Sequence, residues 1–270
     1  PGHEFAGMIH QVGTDVKNFK VNDRVTVPFV NGCGECELCK SGNAQVCPTQ
    51  TQPGFTQFGS FAEYVSIENA DFNLIKLPDE IDFDTAAALG CRFATAYRGL
   101  TARANLQPNQ TIAIFGCGGV GLSALMIAKA LGAKTICIDI NDATLAKAKE
   151  LGADYIINSK QEDPVKKILD LTTTGADVAV DALGSEITSN QSILSLKRRG
   201  KHIQLGLLLT PSGTTPIPMA RAIAYELDLL GSHGMAAVDY PQMLKLITEG
   251  KLKPQALITK NVSLENGTEL

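Results

Sequence analysis

The chain has 270 residues with 24 Lys plus Arg, 28 Asp plus Glu and a net charge of −4, and 44% of it is apolar. It can therefore bury the core of one large or two ordinary domains, and it is not a disordered polymer. The charge balance offers no basic field to nucleic acid or anionic lipid, and the lone basic cluster, Lys197-Arg198-Arg199, is short. The most apolar helical run, Leu122–Ala133, carries Lys129 and is too short for a bilayer, and the first residues lack the basic-then-apolar order of a leader peptide. Neither nucleic acid nor membrane is expected as a partner, and a cytoplasmic setting is.

The first 80 or so residues read as strands and turns, with strands expected at Phe5–Val12, Arg24–Val27, Ser60–Ile67 and Asn73–Leu77 between segments rich in Gly, Asn, Asp and Pro. This mainly β region carries four of the seven cysteines within residues 33–47. Cys33, Cys36, Cys39 and Cys47 form C-x2-C-x2-C-x7-C, and such short gaps let a tight polar loop aim successive thiolates at one tetrahedral ion. Four ligands close the shell, so the expected role is a structural zinc site. An iron–sulfur cluster also suits four thiolates, and chance clustering of buried thiols stays open beside it.

Phe83–Leu89 and Phe93–Arg103 read as helices joining this region to an α/β domain. From Pro108, short apolar runs alternate with helical periodicity. Strands are expected at Thr111–Phe115, Thr135–Asp139, Tyr155–Asn158, Val178–Asp181 and Lys201–Leu205, with helices at Leu122–Leu131, Ala143–Leu151, Pro164–Leu171 and Ile187–Leu196. That alternation predicts a parallel sheet with helices on both faces. The expected layout is a partial β domain over residues 1–85, connecting helices over 86–107, a nucleotide-binding domain over 108–240, and over 241–270 the end of that domain and the start of a return towards the first. Both ends read as cut, because the chain opens directly before a strand and stops in an uncapped helical turn.

Gly116-Cys117-Gly118-Gly119-Val120-Gly121 matches G-x-G-x-x-G. It follows an expected strand, opens an expected helix and precedes a second strand ending in Asp139, 18 residues after Gly121. Gly116 permits the tight turn, Gly118 lets backbone approach a pyrophosphate, Gly121 permits close packing, and the helix N-terminus attracts phosphate charge. Asp139 would accept hydrogen bonds from a ribose. Its charge repels a 2′-phosphate and Ile140, Asn141 and Asp142 supply no arginine to receive one, so NAD is expected rather than NADP.

The thiol loop, the β-rich first region and the dinucleotide motif, together with Gly2-His3-Glu4 and Gly90-Cys91-Arg92-Phe93-Ala94-Thr95, resemble the zinc-dependent alcohol dehydrogenases of the medium-chain dehydrogenase/reductase family over essentially the whole chain. The resemblance implies a Rossmann-type α/β cofactor domain beside a mainly β, GroES-like catalytic domain, truncated at both ends. It implies that a second, catalytic zinc is ligated by His3 and Cys91, with Glu4 at or just outside the shell, and that hydride passes between an alcohol, aldehyde or ketone and NAD. Read without it, Cys91 is a small buried residue and His3 a strand-end histidine.

The resemblance further places Phe29 and Phe93 in the substrate pocket, Thr95 on the nicotinamide side, and the Gly206–Leu207 backbone at the nicotinamide carboxamide, and it implies a homo-oligomer, a dimer or tetramer. In that family the remaining zinc ligand and the proton relay lie upstream of the GHE motif, so these residues alone are expected to be incomplete for activity. Arg92 stands where glycine is common, and reads as a cation for an anionic group or as a solvated helix-start arginine. His10 and His202 are expected within strands as structural residues, His233 in a loop, and Cys117 and Cys137 as small buried residues. The competing readings are a dinucleotide-binding module without catalysis and a zinc-poor relative of the quinone-reductase type.

Overall fold

The computed structural model describes residues 1–269, which divide into two compact units: Pro1–Ala94 with the segment from His233 onward, and Thr95–Ser232. The connecting stretch 86–107 is thus split after Ala94, and the second unit ends at Ser232 rather than within 241–270, so that the segment from His233 onward groups with the first unit.

The second unit is a six-stranded parallel sheet. Its strands are β4 (Thr111–Phe115), β5 (Lys134–Asp139), β6 (Tyr155–Asn158), β7 (Ala176–Asp181), β8 (Leu196–Gln204) and β9 (Asp228–Gly231), in the order β6-β5-β4-β7-β8-β9. Numbered from β4, that is 3-2-1-4-5-6, the doubly wound order whose direction reverses between β4 and β7. Ile112, Ala113, Ile114 and Phe115 are wholly buried, as are Ala179 and Val180, because helices cover both faces of a parallel sheet and its strands must be apolar on both.

Three of the intervening helices begin where the sequence supplies a side-chain cap. Asn141 accepts from Ala143 N before helix Asp142–Glu150, and Asp163 accepts from Val165 N and Lys166 N before the proline-led helix Pro164–Thr172. Ser185 and Thr188 form a reciprocal capping box before helix Glu186–Leu194. Strand β8 begins earlier than its apolar run suggests. It pairs Leu196 with Ala176, then passes through a bulge in which Arg199 takes a positive φ of 61° before Lys201 pairs with Val178.

The first unit holds a three-stranded antiparallel sheet, β1 (Ala6–Met8), β2 (Arg24–Thr26) and β3 (Ile75–Lys76), with β2 central. The expected strand over Ser60–Ile67 does not form. Ser60 N and Phe61 N bond to the carbonyls of Gly2 and Pro1, but no ladder continues, and Phe61 and Tyr64 are exposed. Alternating side chains make a strand only where a partner strand takes up the backbone groups. His10, expected within a strand, lies outside one, since β1 ends at Met8. The expected helices Phe83–Leu89 and Phe93–Arg103 are interrupted: α-helical turns at Phe83–Ala87 and Ala94–Arg98 alternate with wider π turns at Leu89–Phe93 and Gly99–Arg103. Among the described residues no helix is long and apolar enough to cross a membrane.

Candidate active site and metal centres

The four thiols converge as their spacing predicts. Cys33 Sγ and Cys39 Sγ are 3.9 Å apart, Cys36 Sγ and Cys47 Sγ 3.8 Å, and all four sulfurs lie within 4.8 Å of one another. A tetrahedron of thiolates at a zinc–sulfur distance near 2.3 Å has an edge of about 3.8 Å, so the donor set fits one zinc ion. Separations this short leave room for a single ion and not for a multi-iron cluster. The loop also prepares charge. The backbone N–H groups of Glu35 and Cys36 point at Cys33 Sγ, each at 3.4 Å, and bring that thiol down to about 6. Burial pushes Cys39 the other way, up to about 12, a cost that a bound cation removes. Cys39 and Cys47 pack with Ala44, Ala236 and Phe72, which ties the loop into the first unit's core.

A second cluster forms where Gly90 and Cys91 meet the segment His3–Glu4. The π turn Leu89–Phe93 widens the backbone here, and the Gly90 carbonyl accepts from Phe29 N at 3.1 Å and Tyr240 Oη at 3.4 Å. A side chain at Gly90 would lie 3.6 Å from Glu4 Cα and 3.7 Å from the His3 carbonyl, so the two segments run in close contact. The imidazole of His3 packs on Phe55 at 4.8 Å and edge-on to Phe29 at 6.1 Å, and Phe29 meets the ring of His233 at 5.3 Å.

Cys91 is half-buried and its thiol is pushed up to about 12, chiefly by burial and further by the charge of Glu4, with Arg92 opposing. Arg92 is not a free cation. Its Nη2 donates to Glu4 Oε2 at 2.7 Å, and its Nε and backbone N both donate to Glu4 Oε1 at 3.2 Å, which turns the glutamate towards the π turn. Imidazole and thiolate are donors that suit zinc. Among the described residues, however, only the four-thiol cluster gathers three or more such side chains closely enough to hold an ion. Phe93 is fully buried, whereas Phe29 sits against both histidines.

In the second unit the glycine motif has the geometry of a phosphate cradle. Gly116 takes a positive φ of 93°, and a side chain at Gly121 would overlap the Gly116 carbonyl oxygen, so both positions exclude other residues. At Gly118, by contrast, an added Cβ meets nothing within 4 Å, and this open residue is the N-cap of the helix Gly119–Ala130, made by backbone alone. The helix starts three residues before its expected beginning and takes Gly119, Val120 and Gly121 into its first turn, where their N–H groups have no intrahelical acceptor. Asp139 ends β5. Its Oδ2 accepts from Cys117 N at 2.7 Å and its Oδ1 from Asn141 N at 2.9 Å, so the carboxylate is held against the glycine turn.

Thr95 is buried, and Gly206–Leu207 follow β8, with Leu207 exposed. Gly206 abuts Gly184, where neither glycine could carry a side chain. His202 lies in β8, bonded to Ser192 and Gln204, as a structural histidine. Cys117 and Cys137 are buried. Sequence reasoning passed over Asp181, Arg92 as the partner of Glu4, and Tyr240. For Asp181 a signal existed, since it ends an apolar parallel strand just as Asp139 does.

Family models agree with this geometry. Residues 1–79 match the alcohol dehydrogenase GroES-like domain, and residues 119–249 match the zinc-binding dehydrogenase model. An alcohol dehydrogenase of Geobacillus stearothermophilus is 35% identical over 100% of the chain and 77% of its own length. Among solved structures, an alcohol dehydrogenase from Thermus sp. superposes with a TM-score of 0.91 at 30% identity, over 99% of this chain and 78% of that one. The 2R,3R-butanediol dehydrogenase of Bacillus subtilis superposes with a TM-score of 0.84 at 30% identity, over 98% and 73%.

Proposed function

The chain belongs to the zinc-dependent alcohol dehydrogenases of the medium-chain dehydrogenase/reductase family, and we propose that His3 and Cys91 hold its catalytic zinc while Gly116–Gly121 and Asp139 bind NAD. The observation that carries the catalytic assignment is the contact of Gly90 with His3 and Glu4, which joins segments 88 residues apart. Zinc held there would supply Lewis-acid activation of a substrate oxygen, and NAD held at the glycine turn would supply the hydride acceptor, or in reduced form the donor to a carbonyl.

The protein's own residues supply the rest. Cys91 loses its proton on ligation, which its burial disfavours until a cation is present. Arg92 holds Glu4 beside the donors without letting its carboxylate swing freely. Phe29 and Phe55 flank the imidazole of His3 and give the substrate an apolar wall, and the buried Phe93 is assigned to the same pocket. In the second unit Gly118 and the first-turn N–H groups of Gly119, Val120 and Gly121 receive the pyrophosphate, and Asp139 receives the adenosine ribose. Thr95, Gly206 and Leu207 serve the nicotinamide end.

Matches across both halves of the chain, together with the four-thiol loop, disfavour a bare nucleotide-binding module and a zinc-poor relative. We further infer a homo-oligomer, supported by the exposed apolar side chains of Leu207, Leu209 and Ile223, and a cytoplasmic setting, supported by seven free cysteines. The test of the main reading is formation of reduced NAD from a panel of primary, secondary and vicinal alcohols by the full-length, zinc-loaded holoenzyme. No turnover with any of them overturns it.

Cofactor choice should follow Asp139. Replacing it by Ser together with Ile140→Arg removes the ribose acceptor and its charge, and adds a cation at a side chain that is already exposed. NAD affinity should fall and NADP affinity rise, each by about tenfold or more. Titration with both cofactors measures this, and a wild-type preference for NADP would contradict the assignment of Asp139.

A further inference from the structure

The second unit contains a buried carboxylate that none of the roles above uses. Asp181, the last residue of β7, has no exposed surface. Its Oδ1 accepts from Leu183 N, Gly184 N and Thr188 Oγ1, all at 3.0 Å, and its Oδ2 accepts from Gln204 Nε2 at 2.8 Å. The same Gln204 nitrogen donates to the Gly206 carbonyl at 2.8 Å. The main chain repeats the link, since Leu205 N and Gly206 N donate to the Asp181 carbonyl at 3.0 and 2.9 Å. One carboxylate therefore ties together the loops that leave β7 and β8, which touch at Gly184 and Gly206.

Behind this node the acceptors fix the orientation of the Gln204 amide. Gln204 Nε2 faces two acceptors, so its Oε1 must accept from His202 Nε2, 3.1 Å away. His202 Nδ1 then faces Ser192 Oγ at 2.7 Å, a hydroxyl that also lies 2.9 Å from the Ser189 carbonyl. Burial holds the His202 pKa below the usual imidazole value, which keeps the ring neutral and in this one tautomer. Gln204 thus has one satisfied orientation, and it is the one that grips Gly206.

The placement gives the node a use. The sheet order reverses between β4 and β7, and dinucleotides lie across the carboxyl ends of the strands at such a point. The glycine turn and Asp139 serve the half built on β4 and β5, so the loops after β7 and β8 face the other half, the nicotinamide half. Resting on the NAD assignment above, we propose that Asp181 is a positioning residue which, through Gln204, sets the Gly206–Leu207 backbone for the nicotinamide end of the cofactor.

Asp181→Asn tests this in the zinc-loaded holoenzyme. Its remaining oxygen can still serve Leu183, Gly184 and Thr188, but its amide faces the Gln204 amide donor to donor, so Gln204 must turn and release Gly206. Calorimetric titration should show NAD affinity reduced about 10- to 100-fold, while ADP-ribose, which lacks the nicotinamide, changes by less than about twofold because its contacts lie in the other half. Gln204→Met, which keeps the carboxylate and deletes the link, should give the same split and serves if Asp181→Asn does not fold. Equal losses for both ligands, or no loss for either, overturn the positioning role alone. A wild-type protein that binds neither NAD nor ADP-ribose overturns the cofactor assignment itself, and this proposal with it.

Discussion

Cys91→Ala should abolish NAD-linked alcohol oxidation in the holoenzyme while leaving the affinity for NAD within about twofold of wild type. The reason lies in the separation of the donor sets. Cys91 belongs to the first unit, on the π turn whose Gly90 lies against His3 and Glu4, whereas the glycine turn and Asp139 belong to the second and make no use of it. In the proposed ligand role, loss of the Cys91 thiolate would remove the metal's polarisation of the substrate oxygen, worth several kcal/mol of barrier, so kcat should fall by about 10^3-fold or more. The cost to folding should be small, since alanine replaces a half-buried thiol that without metal is neutral at physiological pH. Steady-state rates, zinc content and NAD titration on the same preparation check all three statements. Unchanged turnover after losing Cys91 would remove zinc-assisted hydride transfer at this position.

Cys47→Ala should act on stability instead, and more strongly. Cys47 is completely buried and its sulfur is 3.8 Å from that of Cys36, so removing it opens a shell that four thiolates close. The remaining thiolates lose their counter-ion inside a packed cluster that includes Ala236 and Phe72. Breaking a buried charge pairing of this kind costs about 3–5 kcal/mol, or a fall in Tm of roughly 10 °C for a protein of this size. Zinc content should fall by one equivalent per chain. Chelation of the wild-type protein should reproduce the loss, because metal binding and folding of such loops are one equilibrium. Four freely reactive thiols and no metal in the wild type would dismiss the structural site.

Acidification should weaken the same loop in a defined direction. Backbone N–H groups hold the Cys33 thiol at about 6, below its ordinary value, so its thiolate is favoured in the folded loop above that pH and protonated below it. Retention of the structural metal should therefore decline as pH falls through about 6 and further, read as zinc released to a colorimetric chelator.

Much of the chemistry was legible in the residue order because its determinants are local. The thiols span residues 33–47, and the turns between them allow few ways to avoid one another. G-x-G-x-x-G is both a spacing rule and a backbone rule, and β4 and β6 run from Thr111 to Phe115 and Tyr155 to Asn158, as their apolar runs predict. A strand buried on both faces leaves a continuous apolar signature, and three of the helices between strands carry their own side-chain caps. What these segments determined by themselves was the class of sheet, the glycine turn that opens its first helix and the convergence of four thiols.

The other decisions belonged to contacts between distant parts of the chain. Nothing near Cys91 announces a ligand; the approach of Gly90 to His3 and Glu4 makes it one candidate among buried thiols. The charge of Arg92 reads as solvated until Glu4, 88 residues away, is found beneath it. Ser60–Ile67 has the alternation of a strand but no partner strand among the described residues, and Asp181 looks like any strand-end carboxylate until Leu183, Thr188 and Gln204 converge on it. A periodic pattern reports which face of an element is apolar, and its energy is local. A buried polar group is stable only when particular donors arrive from elsewhere, and which donors arrive is set by packing in three dimensions.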